Sequence, residues 1–177
     1  MENEDSFLNL GAVDKKLEES KLAQDIANRY GGRLPNLFKV EGIVSDRIID
    51  AHNYLYSELV VSEDGGPLSR RLREMIAYEV SKNNQCPYCS YHHGNSLDEQ
   101  STQEQLPSEP ENEKESALLD FAVKITTKSY TITQKDHAQL EAMGWSEKER
   151  VHCLLIASYF NFANRIANAS GIPIENT

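Results

Sequence analysis

Apolar positions recur along this chain at helical spacing, and almost nowhere at the two-residue spacing of a half-buried strand. From Asp14 the series Leu17, Leu22, Ile26 and Tyr30 predicts a helix that stops at Gly31-Gly32. In "RLPNLFKV", Pro35 marks a turn with apolar Leu37, Phe38 and Val40 behind it. Ser45 and Asp46 open a helix carrying Ile48, Ile49, Leu55, Tyr56, Leu59 and Val60, which "EDGGP" ends. Ser69 caps the next helix, with the stripe Leu72, Met75, Ile76 and Val80, and "NNQ" (83–85) breaks it. Pro87 suits a first helical position, because the N–H it lacks has no partner there. That helix is expected to run to about Leu97.

The later part of the chain is punctuated in the same way. Residues 98–115 hold seven acids, one lysine and two prolines, which predicts an exposed connection. A helix from about Glu113 carries Leu118, Leu119, Ala122, Val123 and Ile125. Another starts at Thr133 and ends at Gly144. Ser146 and Glu149 form a capping box for a last long helix through Val151, Leu154, Leu155, Tyr159, Phe162 and Ile166, stopped by Gly171. "SYTIT" (129–133) is the one strand candidate and reads better as a loop. The expectation is an all-α domain of roughly seven helices over 14–177, behind a flexible tail of residues 1–13.

Composition narrows the function classes. The chain has 177 residues, of which 39% are apolar and 26% charged, as in a single soluble domain with a real core. A net charge of −10 argues against nucleic acid and anionic membranes as partners. The largest basic cluster is "RRLR" (70–73). No apolar run approaches the roughly 20 residues that span a bilayer. The acidic start "MENEDSF" resembles neither a secretory nor a mitochondrial leader, so a cytoplasmic location is expected.

Chemistry concentrates in "QCPYCSYHHG" (85–94). Three cysteines are too few for a disulfide scaffold, and in a reducing compartment a CxxC pair points to redox catalysis or metal. Thiol–disulfide and peroxide chemistry need a thiolate at neutral pH. Cys86, at the start of a helix, meets free N–H groups and the positive end of the helix dipole. His93 lies one turn after Cys89 on the same face, where an imidazole can take the thiol proton. His92 and Tyr88 are secondary candidates. The dipole favours Cys86 and the histidine favours Cys89, so spacing alone does not rank the sulfurs. The same atoms could hold zinc, but no second ligand pair exists, since Cys153, His152, His137 and His52 are isolated in sequence. No cofactor and no metal is expected.

The spacing Glu74, eleven residues, CxxC, three residues, His93 resembles the AhpD-like superfamily, which includes the carboxymuconolactone decarboxylases. The stretches "LPNLFKV", "LSRRLREMIAYEVSKNNQCPYCSYHHG", "LLDFAVKIT" and "YFNFANRIANASGI" resemble its peroxidase-related alkylhydroperoxidase branch. The resemblance implies an AhpD-like helical bundle, a homo-oligomer, and a thiol active site. In it Cys89 would be the buried sulfur deprotonated with help from Glu74 and His93. Cys86 would be the more exposed sulfur that closes the disulfide. By periodicity alone Glu74 lies opposite the apolar stripe and reads as a solvated acid. The implied activity is reduction of a hydroperoxide, with a lipoyl or thioredoxin-like dithiol as reductant. Alternatives are a disulfide relay to a separate peroxidase, a lactone-processing enzyme, and a non-catalytic zinc-binding helical module. Cys153 reads as a core thiol, His137 and His152 as edge residues, and Trp145 as packing at a turn. Asn161, Asn164 and Arg165 read as subunit-contact groups.

Overall fold

The computed structural model describes residues 6–11, 13, 19–95 and 109–175. Among these residues the chain forms eight α-helices: α1 Lys21–Arg29, α2 Asn36–Gly42, α3 Asp46–Tyr56, α4 Arg70–Asn83, α5 Pro87–Asn95, α6 Glu113–Lys128, α7 Gln134–Ala142 and α8 Glu147–Ser170. A π-helical turn, Ser57–Val61, continues α3, and "SYTIT" becomes a 3₁₀ turn at Ser129–Thr131. No described helix is long and apolar enough to cross a membrane.

The side chains read as helix starts act as such. Ser45, Ser69 and Ser146 each accept a backbone N–H of the first turn, and Ser146 and Glu149 complete a capping box. Gly171 ends α8 in the left-handed region at φ 59°. A Cβ there would also meet the Phe7 ring at 2.7 Å. Ser6 Oγ and the Phe7 N–H donate to Ser170 O, so part of the expected tail lies against the end of α8. Residues 1–5 of that tail, the helix start at 14–18, and 98–108 of the acidic connection lie outside the described residues.

Two expectations change. The helix expected from Asp14 to Tyr30 instead has a start at Lys21, because Ser20 accepts the Ala23 N–H and caps it there. The apolar segment behind the turn at Pro35, for which the sequence predicts no helix, forms α2.

α4 lies at the centre, packed against α5, α6, α8 and the π turn. The main core fills the space around it with Leu72, Met75, Ile76, Val80, Leu118, Ile156 and Phe160. A smaller core of Ala23, Ile26, Leu34, Phe38 and Ile49 joins α1, α2 and α3. Residues from both lobes line a cavity of about 520 Å³.

Because α4 is covered on several sides, its polar stripe is buried as well. Glu74 is 0% exposed, not solvated as the periodicity suggests. The "RRLR" cluster is likewise committed internally: Arg70 to Glu74, Arg71 to Glu115, and Arg73 to Ser62 O.

Candidate active site

The turn from α4 to α5 places the first sulfur. Gln85 N–H bonds Lys82 O and Cys86 N–H bonds Ser81 O, which is a Schellman closure of α4. It puts Gln85 at φ 52°, where glycine is usual. Cys86 is then the N-cap of α5, with Pro87 as the first helical residue. Its carbonyl accepts the Ser90 N–H, and its sulfur accepts the Cys89 N–H at 3.4 Å. A cysteine thus sits where serine or aspartate usually caps, over the positive end of the helix.

The Cys86 thiol is held below its ordinary pKa, first by a hydrogen bond from the Cys89 thiol. Burial opposes this, while the Cys89 and Tyr88 N–H groups and the Asn164 amide add to it. Cys89 is pushed up, first by giving that hydrogen bond to Cys86 and then by burial. Of the two sulfurs, Cys86 is the one on which negative charge is favoured.

Cys86 and Cys89 are both buried in the single chain. Cys89 lines the cavity.

His93 and Glu74 meet as expected. His93 Nδ1 lies 2.7 Å from Glu74 Oε2, and Arg70 donates to Glu74 Oε1 at 2.9 and 2.5 Å. Burial alone would raise the Glu74 pKa. The charges and hydrogen bonds of His93 and Arg70 outweigh it and hold the carboxyl below its ordinary value. The His93 ring is set by edge contacts with Phe160 at 4.6 Å and Tyr56 at 6.1 Å. Its Nε2 has no hydrogen-bond partner among the described residues. His93 shares the cavity with Cys89, but no direct hydrogen bond joins them.

The secondary candidates meet a residue the sequence did not single out. Tyr88 OH donates to Glu175 Oε1 at 2.8 Å, and His92 Nε2 lies 2.8 Å from Glu175 Oε2. The Asn36 N–H also donates to Glu175 Oε1, so this carboxylate supplies α2 with the cap that Pro35 cannot. Tyr88 and His92 are rim residues tied to the C-terminal segment.

Other expectations are corrected. Asn164 is fully buried, not at a subunit contact. Its amide nitrogen donates to Ser81 Oγ, its oxygen accepts from Asn84, and it hydrogen-bonds both sulfurs. Asn161 bonds Thr126 and Ala157 O within the chain. His152 is buried, with Nδ1 accepting the Leu68 N–H and Nε2 facing Leu59 O. His52, isolated in sequence, lies between Glu41 and Tyr159. Cys153 is a core thiol facing Leu118 O, and Trp145 packs at the α7–α8 turn with Nε1 on Lys114 O. Among the described residues no three of His, Cys, Asp and Glu come together to hold a metal.

No protein-family model matches the chain. No curated protein matches it either. Solved structures match it over nearly its whole length. An uncharacterized peroxidase-related protein from Silicibacter sp. TM1040 superposes with a TM-score of 0.74 at 26% identity, over 98% of this chain and 93% of that one. An uncharacterized peroxidase-related protein from Ralstonia eutropha JMP134, described as an alkylhydroperoxidase AhpD core, gives 0.75 at 24% identity, over 99% and 95%. The debrominase Bmp8 gives 0.69 at 21% identity, over 99% and 94%.

Proposed function

We propose that this chain, whose AhpD-like fold matches those peroxidase-related proteins, is a thiol peroxidase for organic hydroperoxides. The observation that carries the reading is the Cys86–Cys89 pair: the Cys86 sulfur accepts the Cys89 N–H at the start of α5, and Cys89 lines a cavity together with His93, which is paired with the buried Glu74.

One of the two thiol protons leaves toward His93 Nε2, through a water or the substrate itself, and Cys86 keeps the other, so the attacking charge is on Cys89. Glu74 fixes the imidazole for that task. The Cys89 thiolate attacks the distal oxygen of ROOH, giving a sulfenic acid and ROH. Cys86 then attacks the sulfenic sulfur, closing the disulfide and releasing water. A lipoyl or thioredoxin-like dithiol reduces it again.

The cavity supports a bulky, apolar R group. Its wall is largely aromatic, with Tyr30, Phe38, Tyr56, Tyr91, Tyr159 and Phe160. That lining also fits a halogenated aromatic, and one matched structure is named a debrominase, which makes reductive dehalogenation the second reading. Association into a homo-oligomer is part of the proposal. It is supported by the exposed apolar side chains Ile48 and Leu55 on α3 and Val151, Leu155 and Phe162 on α8.

The test titrates reduced protein with cumene hydroperoxide, hydrogen peroxide or a bromoaromatic, and follows Cys86–Cys89 disulfide by mass spectrometry. One disulfide per equivalent of cumene hydroperoxide is expected. Disulfide and bromide with the bromoaromatic alone would favour the second reading. A chain inert to peroxide that exchanges disulfides with a separate peroxidase would be the relay adaptor.

A further inference from the structure

Behind Tyr159 in the cavity wall lie acid–base groups that the dithiol steps leave unused. Glu41 is near the end of α2, His52 lies along α3, and Tyr159 is on α8. His52 Nδ1 is hydrogen-bonded to Glu41 Oε1, and His52 Nε2 to the Tyr159 hydroxyl. All three side chains are buried, and Tyr159 lines the cavity as Cys89 does. Phe38, Tyr159 and Phe162 hold the imidazole, with ring centroids at 5.2, 5.0 and 5.5 Å. Tyr159 is in turn stacked on Tyr56 at 6.0 Å. The second oxygen of Glu41 is buried with no hydrogen-bond partner. Packing alone would be served better by an apolar side chain than by a carboxylate left half satisfied.

This chain of groups can hold a proton in two arrangements. With a neutral ring, the Tyr159 O–H turns back onto Nε2 and offers the cavity only lone pairs. With a protonated ring, Nδ1–H donates to Glu41, Nε2–H donates to the Tyr159 oxygen, and the Tyr159 O–H is free to point into the cavity. Among the described residues His52 is the one basic side chain paired with Glu41. The phenol itself keeps its proton, because burial, then Tyr56, Tyr30, Glu41 and Cys89, push its pKa well above the ordinary value.

We propose that Tyr159 is a catalytic acid that protonates the oxygen leaving from the peroxide, with His52 and Glu41 as the positioning residues that refill it. The inference rests on the hydroperoxide reading above. As the Cys89 thiolate attacks, the S–O bond forms and the O–O bond breaks, so sulfur loses two electrons and the peroxide gains them. The distal OH stays on sulfur as the sulfenic acid. The other oxygen leaves as RO⁻, takes the Tyr159 proton and departs as ROH, while the His52 Nε2 proton moves to the Tyr159 oxygen. A proton from solvent restores His52 after product release.

A leaving-group comparison tests this. Single-turnover oxidation of Cys89 is timed with cumene hydroperoxide, which expels a basic alkoxide, and with perbenzoic acid, which expels a stable carboxylate. Tyr159→Phe keeps the ring and removes the acid. It should slow cumene hydroperoxide by about 100-fold or more and perbenzoic acid by less than about threefold. Glu41→Gln should give the same pattern with a smaller ratio, and His52→Gln carries the test should Tyr159→Phe not fold. Equal slowing of both oxidants, or no slowing of either, in a chain whose unsubstituted form reacts would overturn this inference alone. An unsubstituted chain inert to both would overturn the hydroperoxide reading and this inference with it.

Discussion

Glu74 and Glu41 each bury a carboxylate against an imidazole at one cavity, yet their surroundings differ. Glu74 accepts from His93 and twice from Arg70, so its charge is balanced without any proton on His93. Glu41 has His52 and one bare oxygen. His93 leaves Nε2 without a partner among the described residues and shares the cavity with Cys89, whereas His52 spends both nitrogens between Glu41 and a phenol. A carboxylate–imidazole pair is therefore not one device. The charge count around it decides whether it takes a proton or holds one ready.

The largest effect expected follows from that contrast. His93→Gln should slow Cys89 oxidation by about 10²- to 10⁴-fold, and equally with cumene hydroperoxide and perbenzoic acid, because it acts on the thiol and not on the leaving oxygen. A leaving-group dependence for His93→Gln in stopped-flow assays would erase the distinction between the two pairs.

Stability should separate them next. Glu74→Gln strips a fully buried carboxylate from Arg70 and His93 and should cost about 3 kcal/mol in urea unfolding. Glu41→Gln removes a group already half unpaired and should cost about 1 kcal/mol. Equal costs would mean that the bare oxygen of Glu41 is not bare in solution.

Glu175 is a third carboxylate at the same rim and gives a smaller, pH-dependent effect. Burial opposes its charge, but His92, the Asn36 N–H and Tyr88 hold its pKa at about 2. An acid whose folded pKa is depressed stabilises the fold above the unfolded value and loses that contribution as pH falls through the folded one. The C-terminal segment should therefore loosen between roughly pH 4.3 and pH 2. Amide exchange at Ile174 and Glu175 reads this out, and Glu175→Gln should flatten the dependence.

The smallest effect concerns the turn that aims Cys86. Gln85→Gly should relieve the left-handed backbone and stabilise the chain by about 0.5 kcal/mol, offset in part by glycine's greater unfolded-state freedom. A loss of stability on thermal unfolding would show that the Gln85 side chain contributes more than its backbone costs.

Much of this was legible in sequence because it is local. The serine caps, Pro87 at the first helical position, and the spacing of Cys86, Cys89 and His93 all lie within one or two turns of what they act on. The burial of Glu74 was not, since the periodicity of one helix does not reveal that neighbours cover both of its sides. Glu175 was missed, and Asn164 assigned to a subunit contact, because their partners come from helices far away in the chain, whereas Glu41 was missed although its partner His52 is on the next helix. Two signals were available. Glu41 interrupts the apolar run "LFKVEGIV", and His52 follows Ile49 by three positions, on the buried face of α3. An acid and a histidine on apolar faces of consecutive helices invite the question of what they bond.

The central claim is that Cys89, which lines the cavity, meets the oxidant although negative charge is favoured on Cys86. It is tested most directly by trapping the sulfenic acid in single-cysteine-pair variants with a dimedone probe after one equivalent of cumene hydroperoxide. The account predicts a dimedone adduct on Cys89 in Cys86→Ser and none on Cys86 in Cys89→Ser. An adduct on Cys86 in Cys89→Ser, with Cys89 unlabelled in Cys86→Ser, would contradict it.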